Sequence, residues 1–140
     1  MTYTVGPKLL AGPYPFDVDA LLEAGVTTFI DLTEDGELEP YAVPAGVTHR
    51  RFGVADFGCP TAVQVRAILE AISSAEGLVY LHCQGGCGRT GTIIGCYLVE
   101  QGLAADRALE RVRALTGGPC PEVGEQEALV QRWNRQNGPS

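Results

Sequence analysis

The residues best placed to do chemistry lie in one run, Val79-Tyr80-Leu81-His82-Cys83-Gln84-Gly85-Gly86-Cys87-Gly88-Arg89-Thr90-Gly91. Gly85, Gly86 and Gly88 let the backbone curl until its N–H groups converge on one point, an arrangement that binds anions. A helix beginning at the end of this run adds unpaired N–H groups and about half a positive charge. Arg89 can grip two phosphate oxygens in a bidentate fork. The same positive field favours the thiolate of a cysteine at the start of the loop. That thiolate can attack the phosphorus of a bound monoester in line with the leaving oxygen. Loop N–H groups and Arg89 then stabilise the equatorial oxygens. Cys83 is therefore the expected nucleophile, and Gln84, Gly85, Gly86, Cys87, Gly88 and Arg89 the expected phosphate cradle.

Such a loop needs a strand to deliver the cysteine and a helix to receive the arginine. Residues 78–82 form a short apolar run that reads as a central strand, and 89–101 reads as the following helix. Upstream, 8–12 reads as a strand ended by Gly12-Pro13, and Asp17 can cap a helix that Gly25 ends. Residues 26–32 are rich in β-formers, 33–44 are acidic and broken by Gly36, Pro40 and Pro44, and 47–52 is another strand candidate. Thr61 with Gln64 is a capping-box pattern, and Val65, Ile68, Leu69 and Ile72 continue it at helical spacing over 61–74. Helices are also expected over 106–116 and 125–137, with a frayed tail at 138–140. Strands alternating with helices predict an α/β fold: one domain over 1–140, with a central, mainly parallel sheet flanked by helices.

The run resembles the C-x5-R signature of the protein tyrosine phosphatase superfamily. Cys83 and Arg89 match its cysteine and arginine, His82 the preceding histidine, and Thr90 the hydroxyl residue after the arginine. The resemblance implies that His82 orients the loop and tunes the thiol, and that Thr90 assists breakdown of a cysteinyl-phosphate. It extends to Leu9-Leu10-Ala11-Gly12-Pro13-Tyr14-Pro15, to Ile30-Asp31-Leu32-Thr33 and to Pro121-Glu122-Val123-Gly124-Glu125-Gln126, all of which look like the small, bacterial, dual-specificity-like branch.

Expelling an alkoxide or phenoxide requires a proton donor. Asp56 is the candidate, in a loop that follows a strand and precedes the Thr61 helix, with Pro60 closing it as in the smaller enzymes of this family. Asp31 competes, but its position suits structural hydrogen bonds at a strand end. Glu34, Asp35, Glu37 and Glu39 read as a solvated acidic loop, and His49, Arg50 and Arg51 as an exposed strand edge. Gln126 is the candidate for positioning the hydrolytic water, as a polar amide does in related enzymes; the alternative is an exposed helix residue. Cys87 reads as a small packing residue, with a resolving disulfide to an oxidised Cys83 as the alternative; Cys59 is another possible partner for Cys83.

The chain has 140 residues, 45% hydrophobic and 19% charged, with net charge −7 and Lys8 as its only lysine. An acidic chain without a basic run argues against nucleic acid and anionic membranes as partners. No apolar stretch approaches the ~20 residues of a membrane span. The opening Met-Thr-Tyr-Thr shows no leader pattern, so a cytoplasmic protein with reduced thiols is expected. No Cys-x-x-Cys pair occurs, and neither a metal nor a cofactor is expected. The uncharged loop residues suit one phosphate per substrate, from a phosphoprotein or a small aryl phosphate. The leading expectation is a metal-independent phosphatase acting on phosphotyrosine, and on phosphoserine or phosphothreonine through a shallow pocket. The alternatives are a phosphate-binding pseudophosphatase, a sulfurtransferase and an arsenate reductase.

Overall fold

Five strands form one mixed sheet in the order β1-β2-β5-β3-β4: β1 (Tyr3–Gly6), β2 (Leu9–Gly12), β3 (Val26–Asp31), β4 (Thr48–Arg51) and β5 (Leu78–His82). The computed structural model describes residues 2–121 and 123–137; Glu122 and the tail expected to fray lie outside them. Strands β2, β5, β3 and β4 run parallel, and β1 pairs antiparallel with β2 at one edge. The mainly parallel sheet expected from the sequence is therefore present, with one added strand, β1. Only Val5 of its four residues is buried, so it carries no apolar run to mark it.

Parallel pairing between β2, β5 and β3 places Gly12, Asp31 and His82 level with one another at the carboxyl ends of their strands. Ligands of open α/β sheets bind at that end. Strand β5 is central and nearly wholly buried, so its last residue delivers Cys83 from a rigid element.

Helix α1 (Val18–Glu23) starts at Asp17, whose carboxylate accepts the Ala20 N–H at 3.0 Å. Its Leu21 joins Val26, Phe29 and Tyr80 in a small core. The larger core includes Leu9, Ile30, Val79 and Leu81 from the sheet and the apolar sides of four helices, α2 (Ala62–Ser74), α3 (Gly88–Glu100), α4 (Ala105–Thr116) and α5 (Gly124–Asn137). The capping box at Thr61 forms as its sequence predicts. Thr61 Oγ1 accepts the Gln64 N–H at 3.1 Å, and Gln64 Oε1 accepts the Thr61 N–H at 3.0 Å. Helix α3 is buried along most of its length. Gly95 lets α5 come close: a Cβ there would lie 2.7 Å from Val130 Cγ2. Trp133 of α5 is buried and donates its indole N–H to Glu100 at 3.1 Å. Among the described residues no helix is long and apolar enough to cross a membrane.

Candidate active site

The loop from Cys83 to Gly88 joins β5 to α3 and curls around the Cys83 sulfur. The Gly86 N–H points at Cys83 Sγ, 3.3 Å away, and Cys83 is 3% exposed. Gly86 has φ +79, and a Cβ on it would lie 2.6 Å from the Gly12 carbonyl carbon. The loop can take this shape only with glycine at that position. Outside groups fix it further: the Tyr14 N–H donates to Gln84 O at 3.0 Å, and the Tyr3 hydroxyl donates to Gly86 O at 2.7 Å.

Arg89, in the first turn of α3, returns its guanidinium to the same end of the sheet. Nη1 and Nη2 donate to the two carboxylate oxygens of Glu37, each at 2.8 Å, and Nη1 also donates to Val54 O at 2.8 Å. Asp56 Oδ1 stands 3.4 Å from Nη2. Glu37 therefore departs from the solvated acidic loop expected of it. Its hydrogen bond from Arg89 holds its carboxyl below the usual carboxylate range, and the fork aims the guanidinium. Thr90 is fully buried, and its hydroxyl has no hydrogen-bond partner among the described residues.

His82 is also fully buried. Its Nδ1 lies 3.1 Å from the Cys83 carbonyl oxygen, which can only accept, so Nδ1 carries the proton. Nε2 then accepts the Tyr41 hydroxyl at 2.6 Å. Tyr80 stacks on the ring at 5.6 Å, and Tyr14 meets it edge-on at 6.0 Å. Burial lowers the His82 pKa, against the raising effect of Asp31. Asp31 makes the structural bonds expected at a strand end. It accepts from Thr33 N–H at 2.9 Å and from Arg51 at 3.2 Å, and lies 3.1 Å from His49 Nε2. His49 and Arg51 lie on the exposed edge strand expected of them and are partnered with Asp31 across the strand end.

A histidine held neutral in the folded state has a pKa below its unfolded value of about 6.5. Between those two values the unfolded chain binds a proton that the folded chain lacks, so stability falls as pH drops below about 6.5. The slope from this group is at most about 1.4 kcal/mol per pH unit. Urea unfolding between pH 7.5 and 5.5 is expected to show this loss, and a flatter profile in His82→Asn. Equal slopes would assign the acid lability to other groups.

The loop that carries Asp56 is held from behind. Asp56 is half exposed and accepts the Phe57 N–H at 3.0 Å; Gly58 N–H donates to Ala55 O at 2.7 Å. Gln126 is not the exposed helix residue of the alternative reading. It is fully buried, donates to Gly58 O at 2.8 Å and accepts the Val123 N–H at 3.2 Å. Its amide ties the Val123 segment to the loop that carries Asp56.

The cysteines depart from expectation. Cys87 is bonded to Cys120, with Cα atoms 5.1 Å apart, while Cys59, Cys83 and Cys96 are free thiols. Cys87 is therefore neither a simple packing residue nor a partner of Cys83, and the expectation of uniformly reduced thiols is corrected. The bridge ties the phosphate loop to the segment ahead of α5.

The fold brings Cys83, His82, Arg89, Thr90 and Asp56, the catalytic residues expected from the sequence, to one end of the sheet. Glu37, Tyr41 and Tyr3, which nothing in the sequence marks as site residues, hold Arg89, His82 and the loop.

Residues 13–103 match the family described as "Polymorphic toxin system, DSP-PTPase phosphatase". The dual specificity protein phosphatase CDC14C of Symphalangus syndactylus is 37% identical over 75 residues, covering 54% of this chain and 16% of that protein. Protein tyrosine phosphatase domain-containing protein 1 of Mus musculus is 31% identical over 116 residues, covering 69% of this chain and 16% of that protein. The chain thus spans about a sixth of the length of these curated relatives. The crystal structure of Tk-PTP in the active form superposes with a TM-score of 0.86 at 26% identity, covering 96% of this chain and 97% of that one. The family match spans more than half of the chain, which therefore belongs to the DSP-PTPase phosphatases, the dual-specificity branch of the protein tyrosine phosphatase superfamily.

Proposed function

We propose that this domain hydrolyses phosphate monoesters of phosphoproteins, phosphotyrosine first, through a cysteinyl-phosphate and without a metal. The observation that carries the reading is the placement of Arg89: it leaves the Cys83 loop, is gripped by Glu37, and lies 3.4 Å from Asp56. One cation thereby joins the nucleophile's loop to the proton donor. In the first step the Cys83 thiolate forms an S–P bond as the ester P–O bond breaks, and protonated Asp56 gives its proton to the leaving oxygen. In the second, Asp56 takes a proton from water, water oxygen bonds to phosphorus, and the S–P bond breaks. The unpartnered Thr90 hydroxyl is available to stabilise the departing thiolate, and an unsatisfied buried group calls for such a use. His82 orients the loop through the Cys83 carbonyl, and Gln126 serves by holding the Asp56 loop. Gln84, Gly85, Gly86, Cys87 and Gly88 bring no charge for a second phosphate.

The test is hydrolysis of aryl phosphates in EDTA, followed by a phosphopeptide panel. Asp56→Asn is expected to lower kcat on phenyl phosphate by about 10²–10⁴-fold. The loss should be smaller on para-nitrophenyl phosphate, whose leaving group needs less help from an acid. Equal losses on both would remove Asp56 from the acid role. Loss of parent activity in EDTA would overturn metal independence. A parent that binds phosphopeptides without turning them over would be a pseudophosphatase.

A further inference from the structure

Two contacts from outside the phosphate loop converge on one peptide unit, Gly86–Cys87. The Tyr3 hydroxyl holds its carbonyl at 2.7 Å, and the Cys87–Cys120 bridge holds the residue on its other side. Tyr3 sits on the edge strand β1, where it pairs with Ala11 of β2. In a trans peptide the N–H points opposite to the carbonyl. A carbonyl drawn out toward β1 therefore turns the Cys87 N–H away from Tyr3. Glycine offers little resistance of its own to rotation of this peptide, so its orientation depends on what grips it.

We propose that Tyr3 is a positioning residue for phosphate transfer: with the Cys87–Cys120 bridge, its hydroxyl locks the Gly86–Cys87 peptide with the N–H directed at the bound phosphate. This rests on the reading of the loop as the phosphate site. Tyr3 touches no reacting atom; it acts through the backbone of the loop. Burial, reinforced by the nearness of Cys83, pushes the Tyr3 hydroxyl well above its ordinary pKa, so it stays a proton donor across the working range. The residue lies outside the C-x5-R run, yet its hydroxyl decides where one cradle donor points.

The test compares the parent, Tyr3→Phe, the paired Cys87→Ser/Cys120→Ser variant and the combination. Tungstate affinity, read by calorimetry, reports on the cradle without chemistry; kcat and KM on phenyl phosphate report on turnover. Tyr3→Phe is expected to weaken tungstate binding and lower kcat/KM by about tenfold each, the cost of one lost hydrogen bond to the loop. Because both clamps hold one peptide, the combined variant is expected to lose more than the product of the separate losses. A purely structural hydroxyl would lower the melting temperature and leave tungstate affinity in the folded range unchanged, which would overturn the proposal. Strictly multiplicative losses would overturn the shared peptide. If the parent binds tungstate but does not turn over phenyl phosphate, the catalytic reading fails while the tungstate series still decides the role of Tyr3.

Discussion

Replacing Cys83 by serine is expected to lower kcat by about 10⁴-fold or more while leaving oxyanion affinity within a few-fold. The two halves of this expectation come from different parts of the site. Attack on phosphorus needs an anionic nucleophile, and a serine hydroxyl does not supply one without a general base. Among the contacts of Cys83 the Gly86 N–H donates to the sulfur; a donor stabilises an anion and cannot accept a proton. The cradle, by contrast, is built from backbone N–H groups and Arg89, which the substitution leaves in place. The variant should therefore hold phosphopeptides without turning them over, and acid-quenched mass spectrometry should find phosphate on the parent protein but not on the variant. A serine variant within about tenfold of the parent would place the nucleophile elsewhere.

What the sequence shows plainly is what is carried by neighbours in the chain. His82 to Thr90 are contiguous, and their types alone imply a curled anion loop between strand and helix. The Thr61–Gln64 cap is equally local and forms as expected. Asp56 is legible at one remove, because a loop between β4 and α2 must emerge beside the carboxyl ends of the parallel strands.

Other parts of the site depend on pairings across the fold. Nothing in the run Glu34, Asp35, Glu37, Glu39 marks Glu37 as the carboxylate that Arg89 grips; the two are brought together only when β3 and β5 lie side by side. Tyr41 meets His82 for the same reason. The Cys87–Cys120 pair joins the start of α3 to the segment after α4, and with five cysteines no spacing rule selects it. Tyr3 belongs to an edge strand with no apolar run to mark it. The residues proposed to perform the chemistry are thus mostly local in sequence, while those that hold them are distant.

Arg89 offers the clearest separation of those two roles. Arg89→Lys is expected to lower kcat/KM by about 10³-fold, although the charge is kept. Lysine presents a point charge on a flexible stem. It cannot hold Glu37 with one pair of N–H bonds while offering a planar edge to two phosphate oxygens. Glu37→Gln keeps a hydrogen-bond acceptor for one guanidinium nitrogen and removes the charge and the second oxygen. Its expected cost is nearer tenfold, because the guanidinium remains but is aimed less firmly. If Glu37 acts only by aiming Arg89, the two losses are not additive: in an Arg89→Lys background, Glu37→Gln should change kcat/KM by less than about twofold. An undiminished tenfold loss in that background would mean that Glu37 serves the reaction by another route, through the acid loop or the substrate itself. The double-mutant cycle therefore tests whether the fork between an acidic loop residue and Arg89 is what aims that arginine.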